Sequence, residues 1–125
     1  MSVRKLVSVV DDDESVRESL PDLLRSFGME AEAFSSAESF LESDGLARTA
    51  CLILDVAMPG ISGPELQEEL VRRKLEVPII FITAHSDEWI RPEVLRQGAV
   101  ACLFKPFSEA ALLEAVNTAL GRGDA

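Results

Sequence analysis

Residues 6–20 read LVSVVDDDESVRESL. A mostly apolar run of strand-like composition ends in four consecutive acids, Asp11, Asp12, Asp13 and Glu14. Two like unit charges ~4 Å apart repel by about 4 kcal/mol at an effective dielectric of ~20. An acidic cluster at the end of a buried strand therefore needs a positive partner. The identity of that partner decides what kind of domain this is.

Working outward, similar short runs recur: EAEAF (30–34), CLILD (51–55), VPIIFIT (77–83) and VACLF (100–104). Helical periodicity fills the intervals. Val16, Leu20, Leu23, Leu24 and Phe27 recur at spacings of three and four before Gly28. Residues 36–41 predict a shorter helix. Leu66, Leu70 and Val71 mark a third after Gly63, and Ile90, Val94 and Leu95 a fourth ended by Gly98. Ala111, Leu112, Ala115, Val116 and Leu120 mark a fifth, ended by Gly121. Pro92 is tolerated only in a first helical turn, so the fourth helix is expected to begin near Arg91, after a loop over 87–90. Trp89 lies on that loop, either as a partly buried packing residue or as a partner contact or lid over the site, and His85 is expected to be an exposed loop residue. Five strands alternating with five helices predict an α/β fold, a doubly wound parallel sheet. Strands three to five are apolar enough to be covered on both sides, whereas the alternation in EAEAF suits an edge.

The chain of 125 residues is expected to form one domain over 1–125, with its core at about 6–120 and a frayed tail or start of a linker at 121–125. The net charge of −10 repels a phosphate backbone and argues against direct nucleic-acid binding. No apolar run approaches membrane-spanning length, and the stretch behind Arg4 and Lys5 is too short for a signal peptide, so a soluble cytoplasmic protein is expected. Cys51 and Cys102 sit in apolar surroundings and read as buried, unpaired thiols; with one histidine and no CxxC, zinc has no ligand set.

In an open parallel sheet, ligands bind beyond the carboxyl ends of the strands. Asp11 and Asp12 follow strand one, Asp55 ends strand three, Thr83 ends strand four and Lys105 follows strand five. Any one of these could be a helix cap or a rim residue; together they converge on one edge. Lys105 alone does not balance three carboxylates. A divalent cation with oxygen ligands does, and carboxylates with retained waters favour Mg²⁺.

The ordered set VVDDDESVRESL, LILDVAMPGISG, FITAH and LFKPF resembles the receiver domain of two-component response regulators, with a FixJ-type flavour, over residue 6 to about 119. The resemblance implies a flavodoxin-like (βα)5 receiver fold with strand order 2-1-3-4-5. It implies that Asp55 accepts a phosphoryl group from a phosphohistidine, and that Asp11, Asp12, Asp55 and the backbone carbonyl of Ala57 hold Mg²⁺. Thr83, the Ala84 backbone and Lys105 would contact the phosphoryl oxygens, and a cis bond at Pro106 would aim Lys105. Asp13 and Glu14 read instead as acids favoured by the dipole of the first helix. The implied partners are a sensor histidine kinase or a phosphotransfer protein, with a homodimer through the fourth helix, fifth strand and fifth helix as a further expectation. Such a chain is a regulatory phospho-acceptor rather than an enzyme, with at most slow self-catalysed phosphorylation and dephosphorylation.

One position departs from the family pattern. An aromatic residue usually stands three before the lysine, where this chain has Cys102. That keeps open a degenerate receiver that binds partners without phosphorylation. An aspartate-nucleophile phosphatase would need an acid at Ala57, and a dinucleotide-binding fold would need a glycine-rich loop where Asp11 to Glu14 stand.

Overall fold

The computed structural model describes residues 6–124, apart from the side chains of His85 and residues 122–124. Met1 to Lys5 and Ala125 lie outside the described residues. Five parallel strands, β1 (Leu6–Val10), β2 (Glu30–Phe34), β3 (Thr49–Asp55), β4 (Ile79–Thr83) and β5 (Ala101–Phe104), form one sheet in the order β2-β1-β3-β4-β5. The helices are α1 (Glu14–Ser26), α2 (Ala37–Leu41), α3 (Gly45–Arg48), α4 (Gly63–Arg72), α5 (Arg91–Arg96) and α6 (Glu109–Asp124), with a 3-10 helix over His85–Ile90.

The pleat sends alternate side chains into two apolar layers. Val7, Val9, Cys51, Ile53, Ile80 and Ile82 pack with Leu20 and Leu24 of α1 and Leu112 and Val116 of α6. Val10, Leu52, Leu54, Phe81 and Cys102 pack with Phe40 of α2, Leu66 and Leu70 of α4 and Val94 of α5. β1 and β4 are buried along their whole length. β5, expected to be covered on both sides, is an edge strand whose residues other than Cys102 are only half-buried.

Local chemistry sets the helix ends. The Asp13 side chain caps α1 by accepting from the Ser15 N–H. Gly28, at φ +84, turns the chain out of it. Ser62 and Glu65 form a reciprocal capping box at α4, which carries Pro64 in its first turn. Pro92 likewise falls in the first turn of α5, which begins at Arg91 as its proline requires.

Several expectations change. Four-residue α3 adds a sixth helix, too short to show periodicity. Residues 85–90 form a 3-10 helix rather than an open loop, and Trp89 on it is 70% exposed, so it is not a packing residue. Phe27, at the C-cap of α1, and Val71 face solvent despite matching the apolar spacing. α1 also carries Pro21 in its interior. α6 does not stop at Gly121 but continues to Asp124.

Candidate functional site

The carboxyl rim of the sheet collects what the strand ends deliver. Asp11 follows β1 and is fully buried. Its N–H donates to the Phe34 carbonyl at 3.1 Å. Its Oδ1 accepts from the Asp13 N–H at 2.9 Å and its Oδ2 from Lys105 Nζ at 3.2 Å. Its carbonyl accepts from Arg17 Nη1 at 3.1 Å. Asp55, the last residue of β3, is 6% exposed. Lys105 Nζ lies 3.9 Å from Asp55 Oδ2, so one ammonium faces two buried carboxylates. Asp12 is exposed at the mouth of the site.

Burial pushes the Asp55 carboxyl up to about 7, and the negative Asp11 carboxylate beside it acts in the same direction. The Lys105 ammonium and the Ala57 backbone N–H oppose the rise without cancelling it.

Carboxylate oxygens of Asp11, Asp12 and Asp55 lie within 4.8 Å of one another. Three carboxylates, two buried and one open to water, outnumber the Lys105 ammonium and the nearby Arg17 guanidinium, so the rim stays negative. That donor set fits a hard divalent cation which retains waters, and Mg²⁺ meets the description better than zinc or copper.

Thr83 ends β4 and is 1% exposed, with its hydroxyl donating a long 3.4 Å hydrogen bond to the Ala84 carbonyl. The Lys105 N–H donates to the Thr83 carbonyl at 2.8 Å, which ties the end of β4 to the lysine. The Lys105–Pro106 peptide bond is cis. Gly63 approaches the end of β3 closely: its N–H donates to Val56 O at 3.0 Å, and a Cβ there would lie 2.4 Å from Asp55 O.

The structure thus brings Asp11, Asp12, Asp55 and Lys105 into one group, with Thr83, Ala84 and Ala57 on the same rim. Cys102 is away from it, buried in the layer that holds Phe81, Ile90 and Val94. Two features escape the sequence reading. One is Arg17, whose signal is a basic residue in the first turn of a helix, where the dipole disfavours it. The other is Phe104, paired across the ladder with Thr83 and capped by Arg91, whose Cζ lies 6.0 Å from the ring centroid. No sequence pattern announces a cross-strand register of that kind.

Residues 7–117 match the family model described as the response regulator receiver domain. Nodulation protein W of Bradyrhizobium diazoefficiens is 46% identical over 121 residues, covering 97% of this chain and 53% of that protein. Transcriptional regulatory protein FixJ of Azorhizobium caulinodans is 43% identical over 116 residues, 93% of this chain and 55% of that one. The chain spans about half the length of these curated relatives. Among solved structures, response regulator StyR superposes with a TM-score of 0.87 at 46% identity, covering 97% of this chain and 61% of that one. FixJ-N superposes at 0.86 and 37% identity over 94% of both chains.

Proposed function

This chain belongs to the response regulator receiver family of two-component signalling, and on that premise we propose that Asp55 accepts a phosphoryl group from a phosphohistidine on a sensor kinase or phosphotransfer protein. The observation that carries the reading is the pairing of buried Asp55 with buried Asp11 around the single Lys105 ammonium. A rim with that charge imbalance suits a cation and an incoming phosphoryl group better than it suits an empty structural role.

In the proposed step an Asp55 Oδ attacks phosphorus, the new O–P bond forms, and the P–N bond breaks with its electron pair leaving on the imidazole. Transfer of this kind depends on positioning and charge stabilisation. Asp11, Asp12, Asp55 and the Ala57 carbonyl would hold Mg²⁺, which when bound supplies positive charge to the phosphoryl oxygens. Lys105 moves from bridging two carboxylates to pairing with a phosphoryl oxygen. The Thr83 hydroxyl, held only by a long bond to Ala84 O, can exchange that bond for one to the phosphoryl group. The Ala84 N–H would donate to another phosphoryl oxygen. Asp55 must be ionised to attack, so the Lys105 charge and the cation counter the burial that raises its pKa.

The chain then acts as a phosphorylation-controlled binding module in the cytoplasm. Its net charge of −10 disfavours direct contact with nucleic acid. The surface of α5, β5 and α6 is the proposed face for a partner or a second copy. A phosphorylation-independent interaction module is the second reading, favoured only by Cys102 at the aromatic position.

Incubation with acetyl phosphate and Mg²⁺, followed by intact mass measurement, separates them. The expected result is a single phosphoryl adduct that is lost in Asp55→Asn. No adduct in the wild type favours the phosphorylation-independent module, and an undiminished adduct in Asp55→Asn removes Asp55 from the mechanism.

A further inference from the structure

We propose that Arg17 is a positioning residue for the carboxylate triad, acting through the Asp11–Asp12 peptide; the inference rests on the metal-binding role proposed above for Asp11, Asp12 and Asp55. Arg17 is the fourth residue of α1 and is half-buried. Its backbone N–H makes the first helical bond, to Asp13 O at 3.1 Å. A cation in the first turn of a helix opposes the macrodipole, so helix stability does not explain its presence. Its neighbours in sequence include five acids, Asp11 to Glu14 and Glu18, yet among the described residues its guanidinium enters no ion pair. It donates instead to the Asp11 carbonyl at 3.1 Å.

That choice of acceptor has a structural effect. The Asp11 N–H is held by Phe34 O, its Oδ1 by the Asp13 N–H and its Oδ2 by Lys105. The Arg17 bond holds the remaining polar group of the residue, its carbonyl, with a charged donor, stronger than a neutral one. The Asp11 carbonyl belongs to the peptide plane that leads into Asp12. Asp12 is exposed, and its carboxylate has no hydrogen bond or ion pair among the described residues. Its position within 4.8 Å of the Asp11 and Asp55 oxygens is therefore inherited from the backbone that Arg17 holds.

Positioning and simple electrostatics predict opposite signs, which makes the role testable. By charge alone, removing a cation near three carboxylates tightens binding of a divalent cation. If Arg17 positions the triad, removing it weakens binding, by about tenfold, as loss of an outer support to metal ligands commonly does. The experiment is calorimetric Mg²⁺ titration of the full chain at fixed ionic strength, with thermal melts alongside. Wild type, Arg17→Met, Arg17→Gln and Arg17→Lys are compared, with Asp12→Asn as the control for the site itself. Weaker binding in Arg17→Met with partial recovery in Arg17→Lys supports the proposal. If Arg17→Met does not fold, weaker binding in folded Arg17→Gln gives the same support. Unchanged or tighter binding in the folded variants overturns it while leaving the metal site standing. No Mg²⁺ binding by the wild type overturns the metal-site reading and this inference with it.

Discussion

Thr83 and Phe104 are direct partners across the parallel ladder between β4 and β5. Their side chains leave the sheet on the same face, and Arg91 reaches over the Phe104 ring with its Cζ 6.0 Å from the centroid. Arg91 opens α5 and follows directly on the 3-10 helix that carries Trp89. The proposed movement of the Thr83 hydroxyl toward a phosphoryl group would be read out through Phe104 and Arg91 at solvent-exposed Trp89. Cys102 is one pleat further from the rim, buried and small. Beryllofluoride with Mg²⁺, as a mimic of the phosphoryl group, is expected to change Trp89 emission while the Cys102 reaction rate with a thiol reagent stays nearly constant in a Cys51→Ser background. Phe104→Ala is expected to weaken the Trp89 response. A silent Trp89 with a strongly altered Cys102 rate would place the switch on β5 below Phe104.

The close approach of Gly63 to Asp55 gives a second prediction. A Cβ at Gly63 would lie 2.4 Å from Asp55 O, 3.0 Å from Phe81 Cε1 and 3.1 Å from Val56 Cα. Two of those neighbours are backbone atoms, at the last residue of β3 and the one after it, so the strain must move either α4 or Asp55. Gly63→Ala is expected to cost about 1–3 kcal/mol in urea unfolding and to slow reaction with acetyl phosphate. Gly121→Ala is the contrast: the space around it is open and the residue is helical, so alanine should be neutral to stabilising by up to about 1 kcal/mol. Equal effects of the two substitutions would show that the Gly63 contact carries no strain.

Much of this molecule could be read from its residues, for physical reasons that also mark where reading stops. The two-sided parallel sheet follows from short apolar runs alternating with 3.6-period stretches, a signal that burial imposes on every long element, whereas the strand order comes from the family resemblance. The rim residues were legible because a parallel sheet gathers its strand ends on one edge. Asp11, Asp12, Asp55 and Lys105 all stand at or just beyond those strand ends. Short elements escape: α3 has four residues and no period to show, and the 3-10 helix at His85–Ile90 carries no stripe. Phe27, the C-cap of α1, and Val71, in the last turn of α4, match the apolar spacing yet face solvent. The Thr83–Phe104 pairing depends on register, and the Arg17–Asp11 bond depends on a rotamer, neither of which leaves a trace in composition.

The two cysteines lie on opposite faces of the sheet, Cys51 with the α1 and α6 layer and Cys102 with the α2, α4 and α5 layer. No rotation of their side chains bridges a sheet, so a disulfide is excluded by geometry. Burial pushes the Cys51 thiol up to about 12 and raises Cys102 as well, with the Arg91 charge opposing the rise at Cys102. The thiolate is the reactive species, so both are expected to react slowly in the native state, Cys51 the more slowly. Thiol counting after unfolding should find two; a monomer with none would contradict the two-layer arrangement.

Asp55 supplies the pH dependence. Its carboxyl is raised from an ordinary value of 3.8 to about 7, with burial as the main cause and the Asp11 charge second. The native state therefore holds the Asp55 proton more tightly than the unfolded chain does. The stabilisation from that proton is complete below pH ~4 and is lost as pH rises through ~7. In metal-free buffer the wild type should thus lose ground to Asp55→Asn, which has no charge to bury, as pH rises from 5 to 8. The relative change should reach up to about 3 kcal/mol in urea unfolding. Added Mg²⁺ at pH 8 should narrow the gap, because a ligand that binds only the folded wild type stabilises it. Paired urea titrations of both proteins at pH 5 and 8, with EDTA and then with Mg²⁺, test all of this at once. A gap that is the same at both pH values would mean that Asp55 is ionised throughout and that Lys105 alone offsets its burial.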